Sequence, residues 1–258
     1  MKKFLVLLSL LFSSFTYADT INLHWLNEDG TTYQNSTCVS DSDLILPSTP
    51  PTKYGYTFTG WKMTNYIPIE YLESTGTQYI DTGFKPNNNS GFYIDYYANS
   101  SLQPRVFMLA QNLNDTPYGF GIVLGRSANI AVYNGKRIDN NYWLCNDFTG
   151  IGRYIININK TEASITDSTS TQRSFTFPSN MFQFTQNLYL FALNSEGTII
   201  ENTSSVRIYS CKIYDNGELV RDFIPVLDAN GTPCMYDRVE GKIYYNAGTG
   251  QFIAGPSL

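Results

Sequence analysis

The sequence contains few of the residues that common catalytic and metal-binding sites require. Its 258 residues include a single histidine, His24, which lies near the N-terminus. A Ser-His-Asp or Cys-His set in the larger, C-terminal part of the chain is therefore excluded. The four cysteines show no C-x-x-C spacing of the kind that binds metal, and no glycine-rich phosphate-binding loop precedes a helix.

The sequence also lacks long apolar runs, helical periodicity and an excess of positive charge. No stretch after the extreme N-terminus is long and apolar enough to cross a bilayer. The 22 acidic residues outnumber the 17 basic ones, and the formal net charge is -5. Because an acidic chain repels phosphate groups, nucleic acids and anionic membrane surfaces are poor partners for it.

The N-terminus has the pattern of a signal peptide. Lys2 and Lys3 form a positive region, Phe4 to Phe12 form a short apolar core, and Thr16-Tyr17-Ala18 offers small residues to a peptidase. We therefore expect residues 1–18 to be removed by a cut after Ala18. The remaining chain is expected to be exported, to the periplasm, the medium or the cell surface. An uncleaved anchor is the alternative.

Aromatic side chains are abundant. Tyrosine occurs 20 times and phenylalanine 16 times, and hydrophobic residues make up 42% of the chain. Because tyrosine and phenylalanine favour half-buried pleated surfaces, this composition predicts an all-β protein with a packed core.

Residues 19–62 are predicted to form a small separate domain. The segment Ile21 to Trp25 alternates apolar and polar residues as a strand does, and Glu28-Asp29-Gly30 has the composition of a hairpin turn. The run Leu46 to Trp61, LPSTPPTKYGYTFTGW, resembles the Listeria–Bacteroides, or internalin B-type, repeat of bacterial surface proteins. This resemblance implies a β-grasp-like fold. Residues 63–68 follow as a linker.

Residues 69–258 are predicted to form one large domain. Short apolar or alternating segments recur between turn signals, which is typical of a sandwich of two antiparallel sheets. The segment Ile69 to Phe84, IEYLESTGTQYIDTGF, is interpreted as an opening pair of strands around a turn at Ser74-Thr75-Gly76. The almost continuously apolar Asn187 to Leu193 predicts a central strand buried on both sides. We also expect the first and last strands to pair, which would remove an exposed edge.

Three blocks of this domain resemble the concanavalin-like, laminin-G-like module of phage structural proteins and bacterial surface proteins. They are IEYLESTGTQYIDTGFKPNN near its start, NLYLFALNSEG in its middle and IYSCKIYDNGELVRDFIPVLDANGTPCMYDRVEGKIYYNAGTGQFIAG at its end. The resemblance implies a jelly roll with a convex and a concave sheet. It also implies an association with carbohydrate binding and adhesion.

A sugar-binding site needs exposed aromatic rings beside amide or carboxylate partners. One loop-rich stretch combines these residue types, and Tyr118 is a further candidate by the same logic. The candidate ligand-binding residues are Tyr118, Tyr133, Asn134, Asn141, Tyr142 and Trp143. The alternative is that Trp143 belongs to the core and that the asparagines are loop residues.

Carboxylates bear on two kinds of site, a hydrolase centre and a calcium site. Jelly-roll glycosidases commonly present two acids from alternate positions of one strand, and the sequence has no such E-x-D-x-x-E run. Asp228 and Asn230, with Asp237 nearby, are the candidate calcium ligands because a hard cation prefers oxygen. As a turn, the same DANG segment needs no metal. No other cofactor is expected.

The four cysteines follow the predicted leader, in a chain whose export would permit disulfides. They are Cys38, Cys145, Cys211 and Cys234. Cys211 and Cys234 both lie near the C-terminal hairpin and are the expected pair. Buried free thiols are the alternative.

These features predict an exported, non-enzymatic module that binds a glycan or a surface partner. The first alternative is a structural part of a cell-surface or phage-derived particle that packs against copies of itself. The second alternative is a glycoside hydrolase with a site that the sequence does not reveal. It would require two acids that face each other across the concave sheet.

Overall fold

A computed structural model of the chain shows regular secondary structure that is entirely β. It describes residues 2–10, 21–27, 32–38, 45–52, 54–64, 66–98, 105–112, 118–124, 130–136, 142–148, 151–178, 181–201 and 205–258. These residues contain no helix, and hence no helical segment that could cross a membrane. The predicted all-β class is confirmed.

The chain divides into two compact units. The first comprises Met1–Glu70, Val226–Thr232 and Pro256–Leu258, and the second comprises Tyr71–Pro225 and Pro233–Gly255. The main division therefore falls next to the predicted start of the large domain at residue 69. Two short C-terminal segments belong to the first unit, although the prediction assigned them to the large domain.

The first unit contains a four-stranded sheet. The strands of this sheet are β1 (Lys2–Leu10), β2 (Ile21–Leu26), β3 (Thr32–Cys38) and β4 (Tyr56–Thr64), and a further strand, β5 (Tyr66–Pro68), lies outside it. The sheet order is β3-β2-β1-β4, in which β1 runs antiparallel to β2 and parallel to β4. Strand β5, which lies within the predicted linker, instead pairs with Val226–Asp228. Cleavage of the predicted leader would remove β1, and that cleavage stays a prediction.

The second unit contains most of the strands. In chain order they are β6 (Leu72–Ser74), β7 (Ile80–Asp81), β8 (Ser90–Ala98), β9 (Arg105–Asn112), β10 (Tyr118–Leu124), β11 (Ile130–Lys136), β12 (Tyr142–Cys145), β13 (Gly152–Asn159), β14 (Glu162–Asp167), β15 (Gln172–Thr176), β16 (Tyr189–Leu190), β17 (Ala192–Ser195), β18 (Thr198–Glu201), β19 (Val206–Asp215), β20 (Glu218–Asp228), β21 (Pro233–Asp237), β22 (Lys242–Tyr244) and β23 (Ile253–Ala254). The last three residues of β20 belong to the first unit.

Two sheets of this unit pack face to face. The long sheet has the order β15-β14-β13-β8-β19-β20-β21-β22, and β6 pairs with both β19 and β23. The short sheet has the order β12-β11-β10-β9-β16-β7, and β17 pairs with β9 and β18. Strand β17 runs parallel to β9, and the other pairs whose register the structure describes in these two sheets are antiparallel. Phe92 of the long sheet meets Phe120 of the short sheet edge to face, 5.5 Å between ring centroids, so apolar side chains from both sheets form the core.

The opening segment connects the two sheets. The predicted strand pair is wrong, because β6 joins the long sheet and β7 joins the short one. A hydrogen bond of 3.1 Å from Ser74 Oγ to the carbonyl of Gln78 stabilises the turn between them. Gly76 lies in this turn with a φ of 133°. The predicted pairing of the first and last strands is confirmed, since β6 pairs with β23.

The apolar segment in the middle of the chain forms two strands rather than one. Phe191 has a φ of 68°, a left-handed conformation that ends β16 and starts β17. The predicted burial is confirmed, because Leu190, Phe191, Ala192 and Leu193 are all buried. The break allows β16 to pair with β7 and β17 to pair with β18.

Candidate functional site

The candidate site lies on the face of the long sheet that points away from the sandwich core. Because side chains alternate along a strand, β8 places one set of residues in the core and another on this outer face. The core set is fully buried, namely Phe92, Ile94, Tyr96 and Ala98. On the outer face, Tyr93 and Tyr97 are half-buried and Asp95 lies between them.

A row of side chains crosses this outer face through four neighbouring strands. Arg153 of β13 and Arg207 of β19 lie in register on either side of Tyr97 in β8. Glu73 of β6 follows, opposite Arg207. Directly opposed residues in a sheet are close enough for their side chains to contact. The row therefore sets one tyrosine between two cations and ends at a carboxylate.

Each arginine is held by a nearly buried carboxylate. Arg153 donates hydrogen bonds of 2.9 Å from Nε and from Nη2 to the two oxygens of Asp95, whose side chain is 12% exposed. Arg207 Nε donates to Glu73 Oε2 at 2.7 Å, and Ser205 also hydrogen-bonds to Glu73. The hydrogen bond to Glu73 raises the pKa of Arg207. These charge-assisted bonds fix both guanidinium groups on the sheet surface.

The two guanidinium groups also stack on tyrosine rings. Arg153 Cζ lies 3.7 Å from the centre of the Tyr209 ring, and Arg207 Cζ lies 4.3 Å from the centre of the Tyr71 ring. The Tyr71 and Tyr209 rings meet edge to face, with centroids 5.7 Å apart. The ring of Tyr97 lies 5.6 Å from Arg207 Cζ. These five residues are called the tyrosine–arginine cluster below.

The cluster is partly open to solvent. The Arg153 side chain is 45% exposed and the Arg207 side chain is 35% exposed, while the three tyrosines are half-buried. Beside the cluster, burial raises the pKa of Tyr93, and the charge of Asp95 adds to this effect. Tyr93 therefore stays a neutral hydrogen-bond donor. The outer face thus offers ring surfaces, phenolic hydroxyls and guanidinium N–H groups together.

A β-bulge places Tyr209 in the cluster. The register between β19 and β8 shifts between Ile208 and Ser210, so that Ser210 lies opposite Asp95 and Tyr209 is the extra residue. A bulge redirects the side chain of its extra residue. Ile208 and Cys211 on either side of the bulge remain fully buried. The alternating pattern of the sequence gives no sign of this shift.

Two further carboxylates meet in the interior of the same unit. The backbone N–H of Asp222 donates to Asp237 Oδ1 at 2.8 Å. Asp222 Oδ2 accepts hydrogen bonds of 2.8 and 3.1 Å from Arg238, and Asp237 Oδ2 lies 3.6 Å from Arg221 Nε. The two acids are 7% and 0% exposed. A glycosidase pair must reach the sugar from both sides, and acids buried in this way do not fit that role.

All four cysteines are buried, and none of them forms a disulfide in this structure. The expected disulfide between Cys211 and Cys234 is therefore wrong, and the alternative of buried thiols is what the structure shows. Burial raises the pKa of Cys211 far above its usual value, and the charges of Asp222 and Asp237 add to the effect. A neutral buried thiol packs as a small apolar side chain, so it needs no partner sulfur.

Five of the six ligand-binding residues predicted from the sequence lie on three neighbouring strands of the short sheet. Tyr133 of β11 lies directly opposite Tyr142 of β12, and Tyr118 begins β10. Tyr133 is half-buried, and its Cβ lies 3.5 Å from where a Cβ on Gly119 would be. Of Tyr118 and Tyr142 only the backbone is described, and Asn141 lies outside the described residues.

Two of these predicted residues have structural partners. Asn134 is 4% exposed, and its Nδ2 donates to the carbonyl of Lys160 at 2.6 Å. Trp143 stacks on Phe175 of β15, with ring centroids 5.7 Å apart and planes at 11°. Trp143 thus joins edge strands of the two sheets, and its side chain is half-buried. A binding role for the group stays a prediction.

The candidate calcium ligands are engaged in turns. Asp228 Oδ1 accepts hydrogen bonds from the backbone N–H groups of Asn230 and Thr232, at 2.9 and 2.8 Å. Asp237 lies in the second unit, where its Oδ1 accepts from the backbone N–H of Val239 at 3.0 Å. Over the described ranges, no group of three or more His, Cys, Asp or Glu residues is arranged to hold a metal ion. Calcium binding stays a prediction.

Comparison of this chain with protein-family models and with curated proteins found no match. The resemblance to the concanavalin-like module and to the internalin B-type repeat therefore stays a prediction.

Proposed function

We propose that this chain is an exported, non-enzymatic module that binds a glycan through the tyrosine–arginine cluster. Its second unit would be a jelly roll of the concanavalin-like, laminin-G-like type. The two-sheet antiparallel sandwich is compatible with that assignment, and the three sequence blocks favour it. The repeat-like first unit and the predicted leader suggest a place at the bacterial surface, where the module would serve adhesion.

One observation carries the proposal. Three half-exposed tyrosines lie together on the outer face of a sheet, and each contacts a guanidinium group that a buried carboxylate holds in place. Packing of the core does not require them, because the opposite face of the same strands supplies the buried side chains. A rigid aromatic surface with fixed polar groups is what a binding site for a hydroxyl-rich ligand needs.

The chemistry of the cluster fits a sugar in two ways. The apolar C–H face of a pyranose ring can stack on an aromatic ring, and the sugar hydroxyls can accept hydrogen bonds from guanidinium N–H groups. Because the carboxylates of Asp95 and Glu73 pair with the two arginines, these two ion pairs carry no net charge. A neutral glycan therefore suits the cluster better than a polyanion does.

The proposal is tested on a glycan array with the exported form of the protein, followed by titration of any glycan that binds. Tyr209→Ala removes the ring under Arg153 and is expected to weaken binding by about fivefold, since one aromatic contact contributes about 1 kcal/mol. Tyr133→Ala is the matched control, because it removes a half-buried tyrosine from the site that the sequence predicts on the short sheet.

The outcomes separate the hypotheses. Loss of binding in Tyr209→Ala with normal binding in Tyr133→Ala supports the cluster. The reverse result moves the ligand to the short sheet. Binding to no glycan at high micromolar concentration, together with stable self-association on size-exclusion chromatography, would favour the structural alternative. Hydrolysis of a polysaccharide by the protein would support the hydrolase alternative.

A further inference from the structure

An open pocket in the second unit shares no residue with the tyrosine–arginine cluster. Its volume is about 480 Å³, within the range of small-molecule sites. Its walls come from β7 and the segment after it, from β20, and from the turn and strand around β22. The lining residues are Asp81, Gly83, Arg221, Glu240, Lys242, Ile243, Tyr244 and Tyr245. Two of these residues are acidic, Asp81 and Glu240, and two are basic, Arg221 and Lys242.

The arginine of the pocket is fixed in position. Arg221 Nη1 lies 2.7 Å from Glu240 Oε1 and donates to the carbonyl of Val220 at 2.7 Å, while Nε donates to the carbonyl of Thr82 at 3.1 Å. Its side chain is 16% exposed. The remaining nitrogen, Nη2, lies 3.7 Å from where a Cβ on Gly83 would be. The missing side chain at Gly83 therefore leaves room beside this nitrogen for a ligand atom.

The two carboxylates of the pocket are also oriented. Asp81 Oδ1 accepts hydrogen bonds of 2.9 Å from the backbone N–H of Gly83 and from Asn187 Nδ2. Glu240 Oε2 accepts from the Tyr244 hydroxyl at 2.7 Å. Burial, followed by the hydrogen bond to Glu240, raises the pKa of Tyr244 to about 12, so its hydroxyl keeps its proton. These bonds prearrange the acceptors before any ligand arrives.

A cation and two rings complete the pocket. Lys242 Nζ lies 4.8 Å from the centre of the Tyr244 ring, and no carboxylate partner of Lys242 occurs among the described residues. Tyr245 is 52% exposed and offers an apolar surface at the rim. A ligand in this space meets N–H donors from Arg221 and Lys242 and acceptor oxygens from Asp81.

We propose that this pocket is a second binding site, which takes one or two residues of a neutral sugar. Hydroxyl groups both donate and accept hydrogen bonds, so they match a wall with two cations and two carboxylates. A strongly anionic ligand would meet Asp81 and Glu240, and a strongly cationic one would meet Arg221 and Lys242. The proposal does not rest on the tyrosine–arginine cluster, because the pocket is built from other residues.

The test is saturation-transfer NMR on the full chain with glucose, galactose, mannose and lactose, and with glucuronic acid as the anionic arm. Lys242→Met replaces an exposed, charged side chain by an uncharged one of similar length. Tyr245→Ala removes an exposed ring. Each is expected to weaken binding of the neutral sugar by about tenfold. The matched controls are Lys160→Met, on an exposed turn, and Tyr54→Ala, which removes the fully exposed tyrosine of the first unit.

Loss of binding in both pocket variants, with normal binding in both controls, supports the proposal. No signal from any neutral sugar, or a signal that Lys242→Met and Tyr245→Ala leave unchanged, overturns it. Stronger binding of glucuronic acid than of the neutral sugars also overturns it, because the site would then select anions. Tyr209→Ala separates the two sites, because any signal lost in this variant comes from the cluster, and the signal that remains is the part that Lys242→Met and Tyr245→Ala should weaken.

Discussion

Replacing Arg153 by methionine should cost far more stability than the same replacement of Arg173. Both arginines form ion pairs of similar length, 2.9 Å from Arg153 to Asp95 and 2.7 Å from Arg173 to Asp147. The pairs differ in burial. The Asp95 side chain is 12% exposed, whereas the Asp147 side chain is 58% exposed and remains hydrated without its partner.

The magnitude follows from that difference. Removing one partner of a fully buried pair costs about 3–5 kcal/mol, because the other charge is left without water. Water reaches the Asp95–Arg153 pair through the arginine, whose side chain is 45% exposed, so we reduce this cost to about 1–3 kcal/mol. Loss of the stack on Tyr209 adds about 0.5–1 kcal/mol. The exposed Arg173 pair should contribute about 0–1 kcal/mol.

Urea unfolding of the two variants measures the difference, provided that the slope with denaturant concentration stays constant. A double-mutant cycle with Asp95→Asn isolates the pair, and we expect a coupling energy of about 1–2 kcal/mol. Asp95→Asn alone should cost less than Arg153→Met, because the exposed arginine can be hydrated. Equal destabilisation by Arg153→Met and Arg173→Met would show that burial of Asp95 does not make its ion pair contribute more to stability than the exposed pair does.

Three further predictions concern the backbone, the thiols and one tyrosine. Gly121→Ala should prevent folding, because a Cβ would lie 1.9 Å from the carbonyl oxygen of Met108, whereas Gly217→Ala, with open space around it, should cost about 1 kcal/mol in urea unfolding. The four buried cysteines should resist alkylation until the protein unfolds, and rapid labelling of the native chain would contradict their burial. Because the pKa of Tyr244 is raised to about 12, its contribution to stability is complete below pH 10 and is lost as the pH rises towards 12. Tyr244→Phe should therefore lose less stability over this pH range than the unmodified protein does. The free energy of unfolding, measured between pH 9 and pH 12, checks this prediction.

The sequence predicted those features of the fold that depend on neighbouring residues. Local alternation and a nearby turn are enough for a hairpin such as that of β13 and β14, which pair across the turn after Asn159. Turn residues act locally in the same way at Asp215-Asn216-Gly217, which joins β19 to β20 with φ values of 52° and 84° at its last two residues. Tyr133 and Tyr142 were grouped as candidates because they are close in the chain, and they do lie opposite each other.

The tyrosine–arginine cluster could not be predicted in the same way. Asp95 and Arg153 are 58 residues apart, and Glu73 and Arg207 are 134 residues apart. Only the order of strands in the long sheet brings them together, and neither composition nor periodicity specifies that order. Tyr209 adds a second obstacle, because its place in the cluster depends on a bulge that the alternating pattern does not show.

The rigidity of the cluster determines how a ligand would be selected. A free arginine on a surface loses side-chain entropy when a ligand orders it, whereas Arg153 and Arg207 are already ordered by Asp95 and Glu73. Binding would therefore require little rearrangement of the protein, and the geometry of the rings would choose among sugars. Variants that keep the rings but loosen the arginines, such as Asp95→Asn, should then lower affinity without changing which glycan is preferred. Variants that remove a ring should change the preference itself. A glycan array on both kinds of variant distinguishes these effects. If both kinds changed the preferred glycan to the same extent, the arginines would contact the ligand and contribute to its selection.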